Sequence, residues 1–243
     1  MKTLYLLGDI ANHDGLDVGL AVIIALAVGV AIGLIFHSME KARTNKIKSI
    51  FSDMGLVVSE IPNKRVFQQL ENYPLMDIGR GKRFKNLVSI ETPQAQLKMF
   101  DYRYIISDGE HSTSHKQTVL EVTSEFLNLP VFNLRRERMW DKVASVFGGQ
   151  DIDFSDHPAF SDKFILKGTS EQEIRVFMDP TLLDFFATQP SMCFETQPRS
   201  FIFYKHNYRV AATSTEIQRF IEQAIAVLEA FTTRQSRPMS STP

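Results

Sequence analysis

The segment Val18–Phe36 reads VGLAVIIALAVGVAIGLIF, 19 residues without a charge. As a helix rising about 1.5 Å per residue it covers roughly 28 Å, close to the ~30 Å hydrocarbon core of a bilayer. A helix buried in a soluble protein usually keeps a polar stripe, and this segment has none. The stretch predicts one transmembrane helix over residues 18–36. A cleaved signal peptide needs a basic leader, a shorter apolar core and a small-residue cleavage site. Here the leader carries Asp9, Asp14 and Asp17 against Lys2, and Phe36, His37 and Ser38 follow with no A-x-A pattern. The expectation is an uncleaved anchor.

The flanks of the span predict its orientation. Residues 37–48 form a basic juxtamembrane linker with Lys41, Arg43, Lys46 and Lys48 against Glu40. Cationic flanks stay on the cytoplasmic side, so the short acidic tail 1–17 is expected outside and the remainder inside. A single cysteine, Cys193, agrees with a reducing compartment. The four juxtamembrane cations are the expected contacts with anionic headgroups. Within the span, Ala21, Ala25, Gly29 and Gly33 recur every four residues along one helical stripe. Such small residues let two helices approach closely, which makes a homodimer through the span one expectation. The competing account is that Gly and Ala are common in membrane helices.

Residues 49–233 are expected to form one α+β domain, followed by a disordered tail over 234–243. A helix over 39–54 should end at Gly55. Val66–Leu70 has room for one or two helical turns. Alternating apolar positions predict strands over Asn86–Glu91, Gln96–Ile106 and Lys116–Thr123, joined by short connections as an antiparallel meander. Phe100, Tyr102, Tyr104 and Ile106 share one strand face, open to use as core or as pocket. Ser107–Ser114 reads as a polar loop, and Pro130–Leu134 as a short edge strand. A helical stripe follows over Trp140, Val143, Ala144 and Phe147, then a strand ending at Gly168. Ser170 with Glu173 is a capping box, and Asp179-Pro180 a helix start. A second hairpin is expected over Met192–Tyr204. The last helix begins at the capping box Thr213 with Glu216 and holds an apolar face from Ile217 to Phe231. A meander closed by a C-terminal helix is similar in element order to the pleckstrin-homology-like arrangement.

Chemistry is harder to place. Basic and acidic residues number 27 and 28, for a net charge of −1, which argues against a nucleic-acid binder. The densest polar run is Gly148–Pro158, where Asp151, Asp153 and His157, with Asp156 nearby, have the residue types of a divalent-cation site. Its start imitates a calcium loop, but Asp156 stands where the sharp turn needs Gly, and Asp162 where a bidentate Glu belongs. The plainer account is a turn in which the Asp side chains bind local backbone donors. His111 and His115 have a helical ligand spacing in a non-helical context. Cys193, between Met192 and Phe194, reads as a packed thiol. No nucleophile elbow, phosphate loop or dinucleotide fingerprint is present, so no cofactor is expected. Two further basic clusters, Arg80/Lys82/Arg83/Lys85 and Arg135/Arg136/Arg138, are either solvated charge or headgroup contacts.

Three stretches together carry a family resemblance: Phe100–Tyr104 (FDYRY), His115–Val119 (HKQTV), and Gly148–Phe154 (GGQDIDF) with His157–Ser161 (HPAFS). The chain resembles an uncharacterised family of bacterial membrane-anchored proteins over Phe51–Phe231. That resemblance implies a bacterial source, hence the inner membrane, and a single soluble domain. It assigns no activity and no site residue. The expected function is a protein-binding or scaffold module held at that membrane, its protein partner unknown. The alternatives are a membrane-tethered metal-dependent hydrolase using Asp151, Asp153 and His157, and a lipid-headgroup-binding domain.

Overall fold

The computed structural model describes residues 5–61, 64–107, 109–136, 151–189 and 192–235. The chain divides into two compact units, residues 1–46 and 47–243. The described residues of the first unit lie within one helix, α1 (Tyr5–Ser52), 48 residues long. Among the described residues it is the one helix long and apolar enough to cross a membrane. Its side chains from Val22 to Phe36 are exposed. Unburied apolar surface on that scale belongs to a membrane anchor or a signal sequence. Ala25, Gly29 and Gly33 lie on this exposed surface, and a Cβ added at either glycine meets nothing within 4 Å.

The second unit takes the end of α1 into its core through Ile47 and Phe51. The helix stops as expected at Gly55. With φ +73° there, the Leu56 N–H turns back to the Phe51 carbonyl at 2.9 Å. Eight strands follow: β1 (Val58–Ser59), β2 (Arg80–Glu91), β3 (Gln96–Ser107), β4 (Ser112–Thr123), β5 (Phe132–Arg136), β6 (Phe164–Gly168), β7 (Cys193–Gln197) and β8 (Ser200–Tyr204). Between them lie α2 (Lys64–Leu70), a 3-10 turn (Pro74–Met76), α3 (Pro158–Ser161), α4 (Glu171–Phe177) and α5 (Pro180–Thr188). The last helix is α6 (Ser214–Gln235). All pairings are antiparallel, in one sheet of order β1-β2-β3-β4-β8-β7-β5-β6. This is the α+β architecture expected from the sequence.

The sheet buries both faces. On the first, Leu97, Met99, Leu120, Val122, Phe194, Phe201 and Phe203 pack with α4, α5 and α6 through Phe177, Phe186, Phe220 and Phe231. The caps read from the sequence set those helices. Ser170 Oγ accepts from Glu173 N–H, Asp179 Oδ1 from Leu182 N–H at 3.0 Å, and Thr213 Oγ1 from Glu216 N–H. The second face carries Phe84, Phe100, Tyr102, Tyr104, Val119, Cys193, Ile202 and Tyr204, covered by Leu70, Tyr73, Leu75 and Met76. The aromatic face of β3 is therefore core. Gly79 makes the cover fit: a Cβ there would sit 2.5 Å from the Ile105 carbonyl oxygen, and its φ is +65°.

Four expectations need correction. β5 is not an edge strand. It lies between β7 and β6: Thr196 Oγ1 of β7 bonds the Phe132 amide (2.8 Å) and the Pro130 carbonyl (2.7 Å) on one side, and β6 pairs with all of Phe132–Arg136 on the other. Ser107–Ser114 is not a free loop, since the β3–β4 ladder continues to the pair Ser107–Ser112. Alternation is weak there because both faces near the hairpin tip are wet. β2 begins at Arg80, so the first basic cluster sits on a strand. Finally, β4 pairs with β8 and β5 with β7, so likeness to the pleckstrin-homology arrangement stops at the meander and the C-terminal helix. The expected helix over Trp140–Phe147 and the start of the polar run at Gly148 lie outside the described residues. Of the expected tail, residues 234 and 235 continue α6 and the rest lies outside them.

Candidate functional site

The residues proposed as a cation site are engaged in holding their loop. Asp151 forms a bridge to Lys167 of β6, and its carboxylate accepts from the Leu166 amide at 3.2 Å. Burial pushes its pKa up, and the neighbouring Asp153 charge adds to that. The Asp153 carbonyl accepts from Arg175 Nη1 at 2.9 Å, while the Arg175 guanidinium lies over the Phe154 ring. The His157 carbonyl accepts from the Phe160 (3.0 Å) and Ser161 (3.1 Å) amides at the start of α3. Among the described residues, no three His, Cys, Asp or Glu side chains are grouped to hold a metal.

The basic residues separate into different environments. Lys41 and Lys46 are exposed and Arg43 half-buried on α1, whereas Lys48 pairs with Glu60. Arg80, Lys82, Arg83 and Lys85 are exposed. Arg135 is buried, which removes it from any surface cluster; Arg136 is exposed, and Arg138 lies outside the described residues.

The second sheet face holds a fully buried carboxylate, at a residue the sequence did not mark. Glu195 of β7 is 1% exposed. Its Oε2 accepts from the Leu75 amide at 2.9 Å and its Oε1 from the Tyr204 hydroxyl at 2.7 Å. Desolvation outweighs both bonds and raises its pKa to about 7. Beside it, Lys98 bridges Glu121 (3.2 Å) and Gln69 (3.2 Å), and burial pushes Glu121 up as well. Burial lifts Tyr102, Tyr104, Tyr204 and the Cys193 thiol far above their usual ranges, so Cys193 is a packed and unreactive group. Tyr102 Oη and Gln117 Nε2 make no hydrogen bond among the described residues. The row ends with Tyr104 stacked on His115 (5.2 Å) and His206 tilted against His115 (5.3 Å). Desolvation, then the neighbouring His115, lower the His206 pKa to about 4. The non-helical context of His111 and His115 argues against their acting as a ligand pair, and the histidine beside His115 is His206, from the loop after β8. The buried carboxylates lie out of reach of a substrate, so this network orders the fold.

The accessible concavity lies on the other side, beside α6. A groove of about 600 Å³ runs between α6 and the β2–β3 turn. Its apolar lining is Leu97, Phe126, Ile225 and Leu228, with Thr92, Gln94, Ser124, Glu229 and Thr232 at its polar positions. Phe126 is 62% exposed and Ile225 37%. The size is within the range of small-molecule sites, and a mostly apolar wall with few polar groups suits a hydrophobic ligand or side chain. Phe126 and Ile225 are ordinary apolar residues in sequence. Only the packing of α6 against β4 sets them side by side.

No protein-family model matches the sequence, and no curated protein matches it. Among solved structures, the chain is similar to the mycobacterial trehalose monomycolate transport factor A, TtfA, with a TM-score of 0.52 and 12% sequence identity. The match covers 80% of this chain and 94% of that one, and at this identity the likeness is one of fold.

Proposed function

We propose that this chain is a membrane-anchored factor that assists lipid transport, as a binding module without catalysis of its own. The observation that carries the reading is the conjunction of two features. One is an exposed apolar helix of membrane-spanning length. The other is a domain whose fold is similar to that of a glycolipid transport factor over nearly all of that protein's length. The juxtamembrane cations support an uncleaved anchor with its domain on the cytoplasmic side of a bacterial inner membrane. The groove beside α6 is the place for the apolar part of a lipid or of a transport partner. Self-association along Ala25, Gly29 and Gly33 belongs to the same proposal.

The test is deletion of the gene followed by a pulse of labelled acetate and separation of inner membrane from outer envelope. One lipid class should accumulate in the inner membrane. The full chain should restore its export, and Phe126→Asp with Ile225→Asp should not, although both positions are exposed enough to leave the fold intact. An unchanged lipid distribution in the deletion strain sinks the reading.

A further inference from the structure

The domain is near neutral overall, yet one end of its sheet is not. Arg80, Lys82, Arg83 and Lys85 of β2 are all exposed. In the β2–β3 ladder Arg83 stands directly opposite Arg103. Like charges directly opposite on neighbouring strands are destabilising. No carboxylate among the described residues forms an ion pair with Arg80, Lys82, Arg83, Lys85 or Arg103. Within this set a side-chain hydrogen bond runs from Arg103 Nε to Ser114 Oγ, at 2.8 Å. The nearest acid in the ladder is Asp101, opposite Lys85. It is buried, and it accepts from Asn86 Nδ2 (2.8 Å) and Thr118 Oγ1 (2.9 Å) instead.

Edge protection explains part of this pattern. β1 pairs with β2 only at Val88 and Leu87, so the Arg80–Lys85 stretch is a free edge, and lysines on an edge discourage strand addition. Edge protection does not explain Arg103, which lies on an inner strand with pairing on both sides. An unpaired arginine opposite another calls for an external anion.

We propose that this end of the sheet, centred on the Arg83–Arg103 pair with Arg80, Lys82 and Lys85, is a docking surface for an anionic lipid bilayer. The inference rests on the anchored reading above. A tethered domain meets the headgroup layer at high effective concentration, so a modest cluster of cations suffices to hold it there. A soluble polyanion has no such advantage, and the balanced charge of the whole domain disfavours it.

The test uses the full chain in nanodiscs of phosphatidylcholine alone or mixed with phosphatidylglycerol. Acylation of Lys82 and Lys85 by an amine reagent is followed by mass spectrometry, with Lys167 of β6 as the internal reference. Both lysines should react about fivefold more slowly in anionic discs, and high salt should erase the difference. Arg80→Gln with Arg83→Gln, at exposed positions, should remove most of the protection, as should Arg103→Gln where it folds. Equal rates in both discs with the chain retained overturn the surface and leave the anchor standing. Loss of the chain from both discs overturns the anchor and the surface with it. Protection by added nucleic acid or polyglutamate, without an effect of phosphatidylglycerol, overturns the bilayer as the partner.

Discussion

The two faces of the sheet are stabilised by different physics. The helix-covered face is an aromatic and aliphatic core, in which Phe186, Phe194, Phe203 and Phe231 interlock at ring-centroid distances such as 5.1 Å for Phe186–Phe194. Dispersion and exclusion of water hold it, and neither depends on pH. The opposite face uses aromatic rings too, but seeds them with Glu121, Glu195, Lys98 and three tyrosines under a thin cover of Leu70–Met76. There an unpartnered polar atom is costly on burial. The first face is robust and chemically silent, whereas the second responds to protons.

Mutations can break this contrast, and the largest effect belongs on the apolar face. Phe186→Ala removes a fully buried ring and is expected to cost about 3–5 kcal/mol in denaturant unfolding at any pH. A loss that varies strongly with pH would contradict the division between the faces. On the polar face, Lys98→Met leaves Glu121 buried without its cation. The expected loss is about 3 kcal/mol at pH 8. It shrinks toward pH 5 as Glu121, already raised by burial, takes up a proton.

Glu195→Gln should act in the opposite direction. A carboxyl raised in the folded state to about 7 binds its proton more tightly there than in the unfolded chain. Its contribution is complete below the unfolded value near 4.5 and is lost as the pH rises through 7. The glutamine variant should therefore match the parent at pH 4.5 and exceed it at pH 8 by up to about 3 kcal/mol. Equal stabilities at pH 8, from urea midpoints at matched slope, would refute the buried protonated carboxyl. The smallest effect returns to the apolar side. Asp179→Ala removes the cap of α5 and should cost about 1 kcal/mol by the same assay.

Legibility in the sequence follows the range of the interactions. The caps at Ser170, Asp179 and Thr213, the stop at Gly55 and the hairpin over Cys193–Tyr204 rest on contacts within a few residues, and each appears where the pattern placed it. The inward position of β5 was not legible, because it depends on β6 pairing along one side and on Thr196 of β7, 64 and 66 positions away, bonding on the other. Nor was Glu195, whose partner Leu75 lies 120 residues off. The loop at Asp151 looked chemical because its acids are dense. The Asp151 carboxylate instead accepts from the Leu166 amide, and the Asp153 backbone carbonyl from Arg175, bonds that hold the turn.

The sequence by itself determined an apolar segment of membrane length, the α+β class, the meander and the amphipathic C-terminal helix. All of these are encoded in composition and period along the chain. Only the tertiary structure decided that both faces of the sheet are buried, that Arg135 is interior while Arg83 faces Arg103 at the surface, and that a groove opens beside α6. Each of these depends on strand order and register, which the chain sets by long-range pairing, and no local pattern records it.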